Sequence, residues 1–77
     1  MVISLVDMKP GEKGVVVDIQ GGMGATGRIQ GLGIRVGKNI EKTASQFGRG
    51  PQSVIVDNFK AAIGYGMASK IIVEVER

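Results

Sequence analysis

The chain has 77 residues, enough for one small domain, and it contains 13 glycines but no cysteine, histidine or tryptophan. This composition excludes a disulfide framework, thiolate or imidazole metal sites and histidine-dependent catalysis, so we expect a binding module and not an enzyme. The net charge of +3 is a mild basic excess whose lysines and arginines are scattered along the chain, which predicts a mixed, solvated surface.

The chain is expected to form a single domain over residues 1–77 and to stay in the cytoplasm. Its N-terminus lacks the charged start and apolar core of a signal peptide. No segment approaches the roughly 20 apolar residues that span a bilayer, so direct membrane insertion is not expected.

A turn and a strand are the first predicted elements. Pro10-Gly11 suits a type II turn, because proline presets the first central position and glycine supplies the positive φ of the second. In the strand that follows, Val15, Val17 and Ile19 alternate with increasingly polar residues. We therefore expect these three side chains to form its buried face.

A weak helix is predicted over residues 23–32. Ala25, Ile29 and Leu32 fall at i, i+4 and i+7, which is the spacing of one helical face. Several glycines lower its intrinsic stability, so packing must hold it. Gly33 is expected to end the helix in the left-handed conformation.

The second half of the chain predicts further strands and one helical turn. Asp57-Asn58 tolerates left-handed backbone and suits the two-residue turn of a hairpin. Phe59, Ala61 and Ile63 share one face of the strand after this turn, so we place Phe59 in the core. A helical turn is expected within residues 64–70. The strands are predicted at 40–44, 53–56, 59–63 and 71–75.

The pattern of elements predicts the fold class. About five short strands, one short helix between the first two and a helical turn before the last are most economically closed into a small all-β barrel of the SH3-like kind. Closure of the barrel would also hide the strand edges.

The segment at 22–27 spells G-x-G-x-x-G, the fingerprint of a dinucleotide site. That site needs parallel strands joined by crossover helices, which a chain of this length with one weak helix does not supply. We interpret these glycines as a tight corner between a strand and a helix.

No set of residues in the sequence predicts an active site or a cofactor. The serines have no histidine to activate them. Only carboxylates and backbone oxygens remain for a weak metal site. Glu74 and Glu76 share one strand face, which we interpret as a solvated strand end. The remaining carboxylates are Asp7, Glu12, Asp18, Glu41 and Asp57.

A recognition surface is the remaining functional feature. The segment at 47–51 is flexible by composition, and the segment at 64–67 presents a tyrosine and a methionine between glycines. Tyrosine, arginine and methionine are enriched at interfaces. Alternatively, Tyr65 and Met67 cap an open end of the barrel. The candidate partner surface comprises these side chains and three cations that would steer an acidic partner: Arg28, Arg35, Lys38, Phe47, Arg49, Tyr65 and Met67.

Four segments in chain order resemble the FeoA family of ferrous iron transport accessory proteins. They are KPGEKG at 9–14, GLGIRVG at 31–37, GP at 50–51 and AIGYGMA at 62–68. The resemblance covers nearly the whole chain. The helix here is poorer in arginine and leucine than is usual in the family, and Val36 stands where the family usually has proline.

The resemblance implies an SH3-like domain without a cofactor that contacts the membrane iron transporter FeoB, at its cytosolic GTPase region, and modulates ferrous iron uptake. Similar domains form the C-terminal part of metal-dependent repressors. This chain is expected to be the stand-alone accessory form. Two alternatives stay open. One is a regulatory domain that senses a transition metal directly, with ferrous iron as a weak ligand. The other is a small nucleic-acid-binding barrel. The chain has only three aromatic residues on which bases could stack, which disfavours this alternative. Dimerisation through an exposed strand of the barrel also stays open.

Overall fold

A computed structural model describes residues 1–45 and 49–77 of the chain. The chain order is β1 (Val2–Ser4), a 3-10 helix (Leu5–Asp7), β2 (Lys13–Ile19), α1 (Met23–Gly31), β3 (Asn39–Ser45), β4 (Gln52–Val56), β5 (Phe59–Ile63), α2 (Tyr65–Ala68) and β6 (Ile71–Val75).

Within these residues the strands form one antiparallel sheet in the order β1-β6-β2-β3-β4-β5. The sheet is not closed, and β1 and β5 are its edges, but its architecture is that of the predicted small SH3-like barrel with a short helix and a helical turn. The difference is β1, a three-residue strand that was not predicted and that pairs with β6. It is too short to show an alternating pattern, so only its pairing identifies it.

The core lies on one side of this sheet and takes fully buried side chains from every strand except β1, whose Ile3 packs against it partly buried. The 3-10 helix, both α-helices and the loops that follow the 3-10 helix and α1 complete it. Its fully buried apolar side chains are Leu5, Met8, Val16, Ile29, Ile34, Ile40, Val54, Val56, Ile63, Ala68, Ile71, Val73 and Val75.

The predicted buried face of β2 was wrong in its first half. Val16 is buried, whereas Val15 and Val17 are 37% and 41% exposed. The pairing of β2 with β6 shifts between Val16 and Asp18, so the strand carries a bulge at Val17. Beyond the bulge the alternation is reversed, and Ile19 packs against the core as predicted.

The helix α1 ends one residue earlier than predicted. Ile29 is buried and Ala25 is partly buried, but Leu32 is exposed. Gly33 does adopt the left-handed conformation, with φ of 86°. It turns the chain so that Ile34 is buried in place of Leu32.

The hairpin turn formed as predicted, but the core position of Phe59 was wrong. Asp57 and Asn58 have φ of 50° and 68° and connect β4 to β5 directly. Phe59 is 76% exposed, because it is the first residue after the turn and lies where the sheet ends. Further along the same face, Ala61 packs against the core and Ile63 is buried.

A lysine lies in the core, which contradicts the prediction that the basic residues are solvated. Lys42 on β3 has no exposed surface. Its ammonium group donates hydrogen bonds to the carbonyl oxygens of Leu5 and Val6, each at 3.1 Å. Burial lowers the pKa of Lys42, and the negative charges of Asp7 and Glu12 oppose this shift.

A second polar contact joins the Pro-Gly turn to the C-terminus. Arg77 donates from Nε to Oε2 and from Nη2 to Oε1 of Glu12, both at 2.9 Å, and from Nη2 to the carbonyl oxygen of Asp7 at 3.0 Å. The backbone N–H of Lys9 donates to the same carboxylate at 3.0 Å. The hydrogen bonds from Arg77 and then from Lys9 lower the pKa of Glu12 to about 2.

None of the described helices is long and apolar enough to cross a membrane.

We expect Gly14→Ala to destabilise the domain. A Cβ atom at Gly14 would lie 2.5 Å from Val73 Cγ1, 2.6 Å from the Glu74 carbonyl oxygen and 2.9 Å from Val75 Cγ1. The backbone contact cannot relax cheaply, so the free energy of unfolding should fall by about 1–3 kcal/mol. Gly27→Ala is the matched control, because a Cβ atom there meets nothing within 4 Å. It should stabilise α1 by up to about 1 kcal/mol. Urea denaturation of both variants measures the two changes, and equal effects would contradict the prediction.

The stability of the domain should depend on the ionisation of Glu12 at acid pH. Its folded pKa of about 2 lies below the ordinary value of 4.5, so the folded state binds fewer protons than the unfolded chain within this window. The contribution is present above pH 4.5 and is lost as the pH falls toward 2. We therefore expect Glu12→Gln to flatten the decline of the unfolding free energy across this window.

Arg77→Ala should flatten the same decline, because its guanidinium group is the main cause of the lowered pKa. Chemical denaturation at several pH values measures the three slopes. Identical slopes in the wild type and both variants would contradict the assignment.

Candidate partner surface

Two of the candidate residues that are distant in sequence lie close together. The guanidinium carbon of Arg49 lies 5.8 Å from the centroid of the Tyr65 ring, within the range of a cation–π contact. Tyr65 is the first residue of α2 and is partly buried. Arg49 is exposed. An aromatic face next to an exposed guanidinium group is a suitable contact for a carboxylate or an apolar side chain of a partner.

The short helix α2 holds this surface in place. The carbonyl oxygen of Gly64, which precedes the helix, accepts a backbone hydrogen bond from Ala68 at 2.9 Å, and the Ser69 hydroxyl donates to the Gly66 carbonyl oxygen at 2.6 Å. Ala68 is fully buried, and Met67 is partly buried against the core. Part of the Met67 side chain therefore packs against the core, and the rest remains accessible.

The three cations that were expected to steer an acidic partner lie on α1 and on the loop that follows it. Arg28 is in the last turn of α1 and Arg35 is in the loop, and both are exposed. The Lys38 ammonium forms an ion pair with the Asp57 carboxylate at 2.8 Å. The loop is fixed to β2, because Val16 exchanges backbone hydrogen bonds with it at 2.8 and 2.9 Å. The seventh predicted residue, Phe47, lies outside the described residues.

The carboxylates considered as metal ligands are dispersed. Asp18 accepts from the next backbone N–H at 2.9 Å, Asp57 pairs with Lys38, and Glu74 pairs with the ammonium group of Met1 at 3.2 Å. In residues 1–45 and 49–77, no three His, Cys, Asp or Glu side chains are grouped so that they could hold a metal ion.

An open groove on the outer face of the sheet was not predicted. Its volume is about 700 Å³, and residues of β2, β3, β4 and β6 line it. The apolar part of its wall includes Val15 and Ile55, and carboxylates outnumber the basic groups around it. The signal in the sequence was the unbroken run of valines at 15–17, which places apolar side chains on both faces of β2.

The G-x-G-x-x-G segment forms the predicted corner between a strand and a helix. Gly21 has φ of 104°, and Gly22 precedes the first residue of α1. Every strand pair in the described part of the chain is antiparallel, so this segment does not lie between the parallel strands of a dinucleotide fold.

Comparison with known proteins finds one matching family across nearly the whole chain. The FeoA domain family matches residues 3–75. A candidate Fe(2+) transport protein A of Methanocaldococcus jannaschii is 36% identical over 66 residues, which cover 86% of this chain and 78% of that protein.

Solved structures share the same architecture. The crystal structure of an iron uptake regulatory protein, FeoA, superposes with a TM-score of 0.90 at 36% identity and covers 99% of both chains. A manganese-dependent transcriptional repressor superposes with a TM-score of 0.89 at 21% identity, over 97% of this chain and 42% of the repressor. The similarity to the repressor is a similarity of fold.

Proposed function

The chain belongs to the FeoA domain family, and we propose that it is a non-enzymatic, cytoplasmic accessory protein of ferrous iron uptake that contacts the cytosolic GTPase region of the membrane transporter FeoB. The observation that supports this proposal most strongly is the match over residues 3–75 together with the full-length superposition on a FeoA structure. The names of the two relatives at 36% identity refer to iron uptake or Fe(2+) transport.

The surface around Arg49 and Tyr65 is the part of the domain that we assign to the partner. Arg49 is exposed but is positioned by the ring beneath it, so less side-chain freedom is lost when it binds. Tyr65 is anchored by α2 and keeps part of its ring accessible. Arginine and tyrosine are the residue types that most often dominate binding energy at interfaces.

The basic side chains near α1 have a different role in this proposal. Arg28 and Arg35 are exposed, and neither guanidinium group forms an ion pair or a ring contact with another described residue. Such cations accelerate encounter with an acidic surface more than they tighten the complex. We therefore expect their effect on association to weaken as the salt concentration rises.

The test is a titration of the isotope-labelled protein with the soluble GTPase domain of FeoB, followed by amide chemical shifts. Shifts localised to residue 49 and residues 64–68 support the proposal. Ferrous ion alone and a single-stranded oligonucleotide serve as separate arms. The proposal would be replaced by direct metal binding if the GTPase domain caused no chemical-shift changes while ferrous ion shifted the amides near carboxylates. Salt-sensitive shifts with the oligonucleotide would replace it with nucleic-acid binding.

Variants distinguish the contribution of the proposed surface to binding from that of the net charge. Tyr65→Ala should weaken binding of the GTPase domain by about tenfold or more, and Arg49→Ala should weaken it by a similar factor. Lys13→Ala is the matched control, since it also removes one exposed cation from a chain of net charge +3 but lies on β2. Calorimetry measures the three affinities. An equal loss in Arg49→Ala and Lys13→Ala would show that charge, and not this surface, governs binding.

A further inference from the structure

The stretch between β2 and β3 carries the net positive charge of the chain. Residues 19–40 contain Arg28, Arg35 and Lys38 but no aspartate or glutamate, and the other seven cations are balanced by seven carboxylates. Lys38 pairs with Asp57. Arg28 and Arg35 are exposed and form no ion pair within the described part of the chain. The surface of α1 and its following loop is therefore complementary in charge to an anionic partner.

A third unpaired cation lies near the start of α1. A Cβ atom added to Gly21, in the turn before the helix, would lie 3.6 Å from Nζ of Lys70. Within residues 1–45 and 49–77, Lys70 forms no ion pair. The carboxylate nearest to α1 in sequence, Asp18, faces the other side of the sheet, because the next residue Ile19 packs against the core. This carboxylate therefore does not neutralise the cations around the helix.

Large apolar side chains accompany these cations on the same helix and loop. Met23, the first residue of α1, is 93% exposed. Leu32, directly after the helix, is 45% exposed, and Val36 in the loop is 62% exposed. Removal of apolar surface from water is favourable, so each of these side chains would contribute to binding of a partner that covers it.

The geometry of α1 directs both kinds of side chain toward the same surface. At about 100° per residue, Met23 and Arg28 point about 120° and 100° away from the buried Ile29, on opposite sides of the helix. The face between them is formed by the three glycines of the helix, where added Cβ atoms would meet nothing within 4 Å. The long side chains at its two borders can therefore reach one flat surface, and no bulky side chain between them holds that surface away.

We propose that α1 and its following loop dock on the surface of a bilayer that contains anionic lipid. The cationic heads would lie at the lipid phosphate groups, and Met23, Leu32 and Val36 would enter the boundary between headgroups and acyl chains. The domain would lie on the bilayer without crossing it. This inference goes beyond the proposed transporter contact, because lipid alone is the partner.

The form of this surface favours lipid over an acidic protein. Specific protein interfaces depend on shape complementarity around a few buried anchors, which are often aromatic, and residues 19–40 contain no aromatic residue. The exposed apolar side chains stand apart, at the two ends of α1 and in the loop. Within α1 only Ile29 is fully buried, so the helix is not a rigid template. A fluid bilayer interface accommodates such side chains without a fixed spacing between them.

The chain has no tryptophan, so a single introduced tryptophan can report the contact by its fluorescence. Met23→Trp places the reporter at the proposed surface. Phe59→Trp is the matched control, because Phe59 is 76% exposed but lies on β5. Vesicles of phosphatidylglycerol and phosphatidylcholine in equal amounts should shift the emission of the first variant to shorter wavelength and leave the second unchanged. Vesicles of phosphatidylcholine alone should cause a much smaller shift, because they carry no net charge.

Charge variants test the contribution of the cations. Co-sedimentation with the anionic vesicles at physiological ionic strength measures the partition coefficient. Arg28→Gln and Arg35→Gln should each lower it about fivefold, the usual contribution of one basic residue near an anionic membrane. Lys13→Gln is the matched control and should change it little. Lys13 lies at the far end of β2 from α1, about 20 Å along the strand, which is about two Debye lengths or more at this ionic strength.

All five substituted side chains are exposed, so circular dichroism should report an unchanged fold in every variant. The proposal would be overturned if the anionic vesicles bound no protein, if both tryptophan variants shifted equally, or if Lys13→Gln lost as much binding as the arginine variants. If the vesicles bound no protein and the arginine variants instead weakened binding of the GTPase domain, the surface would belong to an acidic protein contact. Because the vesicles contain no transporter, failure here is distinct from failure of the proposed function.

Discussion

The buried ammonium group of Lys42 joins β3 to the N-terminal 3-10 helix, and the rest of the fold depends on this contact. It lies on β3, in the middle of the sheet, and donates to carbonyl oxygens of the 3-10 helix that follows β1. Leu5 of that helix is itself fully buried, so the contact fixes an apolar anchor as well as a backbone. A cation without hydrogen-bond partners would be strongly unfavourable here, so the 3-10 helix and the lysine require each other.

This arrangement also explains the position of the N-terminal segment. β1 has only three residues and pairs with β6 at the edge of the sheet, which is little support for a strand. The hydrogen bonds to Lys42, together with the contact of Arg77 with Glu12 and with the carbonyl oxygen of Asp7, hold the following turn against the sheet. The two ends of the chain are thereby fastened by polar groups, whereas the middle strands are held by apolar packing.

The elements that could be predicted from the sequence are those that a local signal determines. The left-handed residues Asp57 and Asn58 placed the hairpin, and the alternation of Ile71, Val73 and Val75 gave the bounds of β6 as the structure has them. The inward and outward faces of β2 could not be predicted, because its valines occupy both faces and a bulge decides which of them is buried.

The features that were missed depend on contacts between distant residues. The burial of Lys42 depends on carbonyl groups 36 and 37 residues away, so no local pattern indicates it. The residue types of the candidate surface could be chosen from the sequence, but the placement of Arg49 over Tyr65 comes from the fold. Phe59 was assigned to the core from its alternation, which carries no information on where the sheet ends.

The sparse packing of α1 has a consequence for the motions of the domain. Of its nine residues, only Ile29 is fully buried, and its glycines face open space. An element with so few buried contacts opens at a free energy far below that of global unfolding. The helix is held to the sheet mainly through Ile29, so local opening of α1 is expected to cost less free energy than global unfolding. A ligand that orders this helix would bind more weakly than its contacts suggest, since part of its binding free energy is spent on the ordering.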